Sequence, residues 1–283
     1  AAMERVGRVM EERSLLAGVQ AQGGFAVPFE LDPTLLLTSD GAVNPIRELA
    51  TVTTIGVTTW QGVTTEGVDA AFVPEATEAT DDAPTLARPS ITPERAQAWV
   101  PFSIEVGQDW ESLGDEMLRL FADAKDTLEA DKFAHGTGND EPEGLIAGLA
   151  ASSVIDTAGV GAFVADDVYG LEEAVPPRFQ PRGNWISSLS VANVIHRFSG
   201  PGGTEPPLFN EDRTRLLGKP WSEVSVMATD PTTSGQNILL YGDLSAAYRI
   251  VDRIGLSVEL VPHVFGPNRR PTGERGLYAY WRT

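Results

Sequence analysis

Cysteine is absent from this 283-residue chain. That removes disulfides, thiolate metal sites and any Cys nucleophile. Lysine is nearly absent too: Lys125, Lys132 and Lys219 stand beside 18 arginines. Bases are scarce overall, with 21 Lys and Arg against 40 Asp and Glu, for a net charge of −19. Nucleic-acid affinity rests on neutralising phosphates with cations, so so acidic a chain does not cling to polyphosphate. The arginine bias fits bidentate interface pairs and equally fits a GC-rich coding sequence. No apolar run reaches ~18 residues, so no membrane-spanning helix is expected. The start, "AAMERVGRVMEERSLL", is amphipathic and lacks the apolar core of a signal peptide. Three histidines are present, His135, His196 and His263, and none sits in a ligand pattern. There is no HExxH, GxSxG or EF-hand loop. His196 reads as a packed, hydrogen-bonded helix residue near Phe198. "DTAG" (Asp156 to Gly159) places Ala158 where the aspartic-protease signature needs Gly, and no second copy exists. Asp166 and Asp167 read as an acidic first helical turn, and Glu172 and Glu173 as its solvated face. The six tryptophans are spread out without interleaved bases, a packing pattern rather than a stacking platform. These absences argue for no enzyme, no cofactor and no metal.

The length suffices to bury roughly 75% of the unfolded surface, in one large domain or two small ones. Residues 1–22 read as an arm, with Val6, Val9, Met10 and Leu16 as a weak helical stripe. "GGFAVPFELDPTLL" is extended, since Pro28 and Pro33 block a helix interior. "NPIRELATVTTI" predicts a short helix and then a strand, with Asn44 as N-cap and Pro45 at the first helical position. Residues 90–106 return as a strand in which Ala96, Ala98 and Val100 alternate with other residues. A 23-residue helix follows, with Leu113, Met117, Leu120, Phe121, Ala124 and Leu128 at spacings of three and four. Ser112 is its expected cap, with Asp115 three residues on. Beyond it come a helix ending before Pro176, a strand in "NWISSLS", a helix capped by Ser190, and strands in "WSEVSVMA", "QNILLYGDL" and "GLYAYWR". The fold class is α+β.

Between these elements, residues 51–80 stand out. Nine of the thirty are Thr, and six acids lie from Glu66 to Asp82 with no base among them. Thr and Val favour strands, but this segment has little to bury. A long β-rich excursion of that kind gains its order by packing on another chain. The glycine-rich "HGTGNDEPEGL" (135–145) follows a helix instead of preceding one. It carries Asp140, Glu141 and Glu143 and no Lys, so it is not a phosphate cradle. It reads as a helix stop and turn, with Gly136 and Gly138 at positive φ and Gly144 for re-entry.

Several stretches, in order, resemble the major capsid proteins of tailed bacteriophages with the Hong Kong phage-type fold. "GGFAVPFEL" is similar to that family's Gly-Gly-apolar-x-Val-Pro opening, and "NPIRELATV" to its short helix and strand. "AAFVPEATEAT" resembles the A-x-W-x-x-E stretch of the extended loop, with Phe72 where Trp is usual. "FSIEVGQDW" resembles the entry to the spine helix, and "FAHGTGNDEPEGLI" its exit. "LLGKPWSEVSVMA" and "ILLYGDLSAAYRIVDRIGLSVEL" are the most specific matches. The resemblance implies an N-terminal arm and start of the peripheral domain (1–50) and an extended β-hairpin loop (51–85). It further implies a peripheral domain with a spine helix (86–145), an axial domain (146–245) and C-terminal strands (246–283). Trp60, Phe72, Pro74, Glu75 and Arg88 are the expected contacts between subunits. Gly202, Gly203 and Glu205 are the expected contacts around the axes.

The implied function is self-assembly of identical subunits, as hexamers and pentamers, into an icosahedral shell. That shell would enclose a double-stranded DNA genome without sequence-specific binding, with portal, decoration or scaffolding proteins as further partners. The implied place is the virion, assembled in the host cytoplasm. An encapsulin-type nanocompartment shell is the alternative. Some members weld subunits through a Lys–Asn isopeptide bond from the extended loop. Residues 51–100 contain no Lys, so no such cross-link is expected. Many members also lose an N-terminal scaffolding segment, and the short arm without an initiator Met suits a mature product.

Overall fold

A computed structural model describes residues 37–283 apart from 66, 76–77, 79–82, 110–112, 160 and 199–206. In chain order the elements begin with α1 (Ile46–Leu49), β1 (Thr51–Thr54), β2 (Trp60–Gln61), β3 (Thr64–Thr65), β4 (Leu86–Ala87) and β5 (Ser90–Ile91). Next come β6 (Arg95–Ser103), α2 (Ile104–Asp109), α3 (Leu113–His135), α4 (Ala165–Ala174), β7 (Asn184–Ser187) and α5 (Leu189–Phe198). The last are β8 (Arg215–Leu216), β9 (Lys219–Glu223), β10 (Leu239–Gly242), α6 (Leu244–Ala247), β11 (Arg249–Asp252), β12 (Ile254–Val261) and β13 (Glu274–Arg282). Residues Thr38–Thr283 form one compact unit. The expected arm over 1–22, the extended stretch over 23–36 and the Ser112 cap lie outside the described residues. The α+β expectation holds.

The four-stranded sheet runs β10-β7-β9-β8. Its strand β7 is buried at all four positions, as a strand covered on both faces must be. Side-chain alternation sends Trp185 and Ile186 to opposite faces. Trp185 joins Val168 of α4, Val191, Ala192 and Ile195 of α5, and Leu208, Phe209 and Leu216 in one core. Ile186 joins Ile46 of α1, Phe133 and Ala134 of α3, and Val224, Met227, Leu244 and Ile250 in a second. β7 is thus the wall shared by two cores. Helix α5 starts at Leu189, which puts Ser190 inside its first turn rather than at the cap. The chain turns into this helix directly from β7, and the buried Ser188 carbonyl already accepts the Ala192 N–H at 3.1 Å. In α4, Asp167 reaches back to accept the N–H groups of Val164 (2.8 Å) and Ala158 (3.0 Å), a helix-starting role for the acid pair.

Helix α3 spans 23 residues, as its spacing predicts. Its buried line differs from the expected stripe in the second half. Leu113 and Phe121 are buried, but Ala124 and Leu128 are exposed, and Glu129, Ala130, Phe133 and Ala134 take over. Against this helix lies the sheet β12-β13-β6, with nine antiparallel pairs from Glu274↔Ser103 to Arg282↔Arg95. Ala96 and Trp281 from the sheet and Leu128 and Phe133 from the helix line one cleft of about 190 Å³. Small residues at 96, 98 and 279 let the sheet approach, and β6 shows the expected alternation.

The glycine-rich turn after α3 closes the helix end. Leu145 N–H donates to Phe133 O (2.8 Å), Ile146 N–H to Ala134 O (3.1 Å), and Gly144 N–H to Gly136 O (2.8 Å). The carbonyls that a helix C-terminus leaves unpaired are thereby satisfied. Gly138 has φ +75° as expected, but Gly136 does not need positive φ. Gly136 is required because a Cβ there would sit 2.0 Å from Pro142 O. Glu141 locks the turn. The Lys132 ammonium at 2.8 Å, then the Thr137 N–H and hydroxyl, hold its carboxyl at about 2 instead of 4.5. A depressed folded-state pKa adds stability that is complete above the unfolded value and is lost as pH falls through the folded one. Glu141→Gln is therefore expected to flatten the acid dependence of thermal unfolding between pH 4.5 and 2. An unchanged acid limb would refute the assignment.

Candidate assembly surfaces

The segment between β1 and β6 leaves the body on a tied stem. β1 pairs in parallel with β11, from Thr51↔Arg249 to Thr54↔Asp252, and Ile55 N–H continues to Asp252 O at 2.8 Å. The short helix before it starts one residue later than expected, with Pro45 at the cap position instead of the first helical one, and Asn44 Oδ1 still accepts the Ile46 N–H at 3.2 Å. Above the stem, the pairs among the described residues are two residues long, Trp60↔Ile91 with Gln61↔Ser90, and Thr64↔Ala87 with Thr65↔Leu86. So short a ladder is marginal in water on its own. Its apolar side chains face outward: Val57, Val63, Val68, Phe72, Val73 and Leu86 are all exposed, Phe72 completely. Among the described residues these side chains have nothing to bury against.

A charge cluster sits under the stem. Arg47 of α1 places Nε 2.6 Å from Glu129 Oε2 and Nη1 2.8 Å from Asp252 Oδ2. Lys125 Nζ meets the other Glu129 oxygen at 2.9 Å, and Thr283 Oγ1 accepts from Arg47 Nη2 at 3.3 Å. The guanidinium also lies 5.4 Å from the Phe133 ring centroid. Burial opposes the charge on both Arg47 and Asp252, but hydrogen bonds outweigh it, with Glu129 and then Asp252 for Arg47, and with Arg47 and then Thr283 for Asp252. Arg47 is raised and Asp252 is held below its ordinary value. Two cations and two anions thus join α1, α3, β11 and the last residue in one knot. Only the Lys125–Glu129 spacing of four was visible in the sequence. The Arg47 contacts span 82 and 205 residues and leave no local signal.

The expected contact residues are spread over several places. Trp60 belongs to the stem: it is half-buried, with the Arg249 guanidinium 4.5 Å from its ring centroid. Arg88 is exposed and follows β4. Phe72, Pro74 and Glu75 are exposed in the tip between β3 and β4. Gly202, Gly203 and Glu205 lie outside the described residues. His135 uses Nε2 in a 2.9 Å contact with Val226 O. Among the described residues no group of three or more His, Asp or Glu is arranged to hold a metal ion. No helix among them is long and apolar enough to cross a membrane.

No curated protein sequence matches this chain. Solved structures do share its fold. The capsid of a native GTA particle superposes with a TM-score of 0.80 at 20% identity, covering 95% of this chain and 94% of that one. The capsid of an empty GTA particle gives 0.74 at 21% identity over 95% and 94%. Microbacterium phage Oxtober96 gives 0.67 at 14% identity over 93% and 91%. The phage capsid family model matches residues 23–283. The chain therefore belongs to the phage capsid family, as a major capsid protein of the virion shell.

Proposed function

We propose that this shell protein assembles as hexamers and pentamers that close an icosahedral capsid around double-stranded DNA. Identical subunits in closed symmetry sum many modest contacts into one stable shell. In this reading 1–50 form the arm and start of the peripheral domain, and 51–85 the extended loop. Residues 86–145 form the peripheral domain, 146–245 the axial domain and 246–283 the closing strands. Assembly takes place in the host cytoplasm, with portal, decoration or scaffolding proteins joining identical copies, and no step needs catalysis. The net charge of −19 keeps the wall from binding the phosphate backbone tightly, so the enclosed genome stays free to move.

The outward-facing apolar residues of the loop carry this proposal. Phe72 is fully exposed in a single copy, so it adds nothing to that copy's own core. Phe72→Asp is expected to change the subunit's unfolding free energy by no more than about 0.5 kcal/mol. The same substitution is expected to abolish particles in electron micrographs, because it puts a charge where a neighbour's apolar surface should close. Normal particles from this variant would remove the tip from the assembly contact. A wild-type chain that stays monomeric at high concentration would overturn the shell itself.

A further inference from the structure

The loop segment carries no cation of its own. From Glu48 to Ala87 there is no base, so a cation that touches it within one subunit comes from the body. Arg249 of β11 is such a cation. Its guanidinium lies 4.5 Å from the centroid of the Trp60 ring, and its Nη1 donates to Thr53 Oγ1 of β1 at 3.4 Å. One side chain thus touches both the rising strand of the stem and the first ladder above it. Its own strand is fixed to the stem by the parallel pairs from Thr51↔Arg249 to Thr54↔Asp252.

Gly62 makes room for the ring. It lies between β2 and β3, where the two short ladders part, and its N–H donates to Pro89 O at 2.9 Å. A Cβ at this position would stand 2.4 Å from the Trp60 ring, so the indole can lie there only because residue 62 has no side chain. Trp60 is half-buried, whereas Val57 and Val63 on either side of it in sequence are exposed. A two-residue ladder does not hold a direction by itself. A ring packed on a glycine backbone and drawn to a guanidinium adds a fixed point at the place where the chain leaves the stem.

We infer that Trp60, Gly62 and Arg249 form a latch inside one subunit, which sets the direction of the loop before any neighbour arrives. Trp60 and Arg249 are positioning residues in this arrangement. The latch is a property of the lone subunit, and its consequence, faster assembly, rests on the shell reading above. A loop already held in its direction loses less conformational freedom when copies join. Pre-organisation of that kind favours association without adding a contact. The latch is also weak enough to yield, since an exposed cation–π pair shifts an equilibrium by only about two- to fivefold.

Hydrogen exchange of the unassembled subunit, read by mass spectrometry, tests the latch. Arg249→Ala is expected to speed exchange in peptides covering β2 and β3 by about two- to fivefold, with peptides from the two cores unchanged. Arg249→Lys keeps a cation over the ring and is expected to retain most of the protection. Gly62→Ala displaces the ring and is expected to give the same increase as Arg249→Ala. The double variant should exchange no faster than the quicker single one, because both changes free one and the same ring. Trp60→Leu removes the aromatic face and serves in place of Arg249→Ala if that variant does not fold. Unchanged exchange in the single variants, additive effects in the double one, or faster exchange over the whole chain would each overturn the latch. Particle formation followed by light scattering should slow in Arg249→Ala by about two- to fivefold, the same factor by which its loop is released. An unchanged assembly rate from a subunit whose loop base has loosened would overturn the positioning role. A wild-type chain that forms no particles would instead overturn the shell reading, while the exchange rates still decide the latch.

Discussion

Arg47→Ala is expected to remove about 3–5 kcal/mol of folding stability. The reason is what it leaves behind. Glu129 has a side chain only 3% exposed and rests against Arg47, with Lys125 as its one other cationic partner among the described residues. Asp252, tied to the same guanidinium at 2.8 Å, loses its close cation as well. Breaking a buried pair from one side strands the other charge, which costs far more than the intact pair is worth. The packing loss adds to this, because the Arg47 guanidinium also lies against Phe133. Two further variants separate charge from packing. Arg47→Lys keeps the charge but cannot span Glu129 and Asp252 with one planar fork, so an intermediate loss is expected. Arg47→Met with Glu129→Gln removes both buried charges and is expected to recover much of the loss. Urea unfolding of the unassembled subunit measures all three. A loss below about 1 kcal/mol for Arg47→Ala would show that the knot is open to water and carries little.

The contrast between this knot and the rest of the fold shows which features a sequence displays. Helix α3 was legible because its first half obeys the three-and-four spacing and its end is marked by Gly136. Its second half departs from that spacing because the buried line there runs through Glu129, and a buried charge looks like a solvated face until its partner is known. Gly136 was rightly placed as a stop for the wrong cause: the backbone of Pro142 crowds it, and that crowding comes from a segment that folds back. Ser190 was misread because a serine before an apolar periodic run looks like a cap, whereas β7 feeds α5 without a loop. The loop segment was legible through what it lacks, bases and large apolar residues. The sequence resemblance supplied the fold and its order of elements, and the Arg47 knot came from the structure alone.

Trp185→Ala is expected to cost about 3–5 kcal/mol, against a total stability for such a domain of about 5–15 kcal/mol. The indole is fully buried, stacks on Tyr241 with centroids 4.2 Å apart, and is central to the core formed with α4 and α5. Its Nε1 has no hydrogen-bond partner among the described residues. Trp185→Phe therefore removes an unpaired donor while keeping a ring beside Tyr241, and should cost clearly less than the alanine variant. The neighbouring Ile186→Ala, on the opposite face of the same strand, is expected to cost about 2–5 kcal/mol in the second core. Because β7 is the common wall, the two cores should not unfold independently. The double variant is expected to depart from the sum of the singles by at least about 0.5 kcal/mol. One cooperative transition in urea, followed both by tryptophan fluorescence and by far-ultraviolet circular dichroism, is the matching observation. Two separated transitions, one lost with each substitution, would show that the sheet divides the subunit into independent lobes. In that case stresses on the loop stem and on the α4–α5 core would not reach each other through β7.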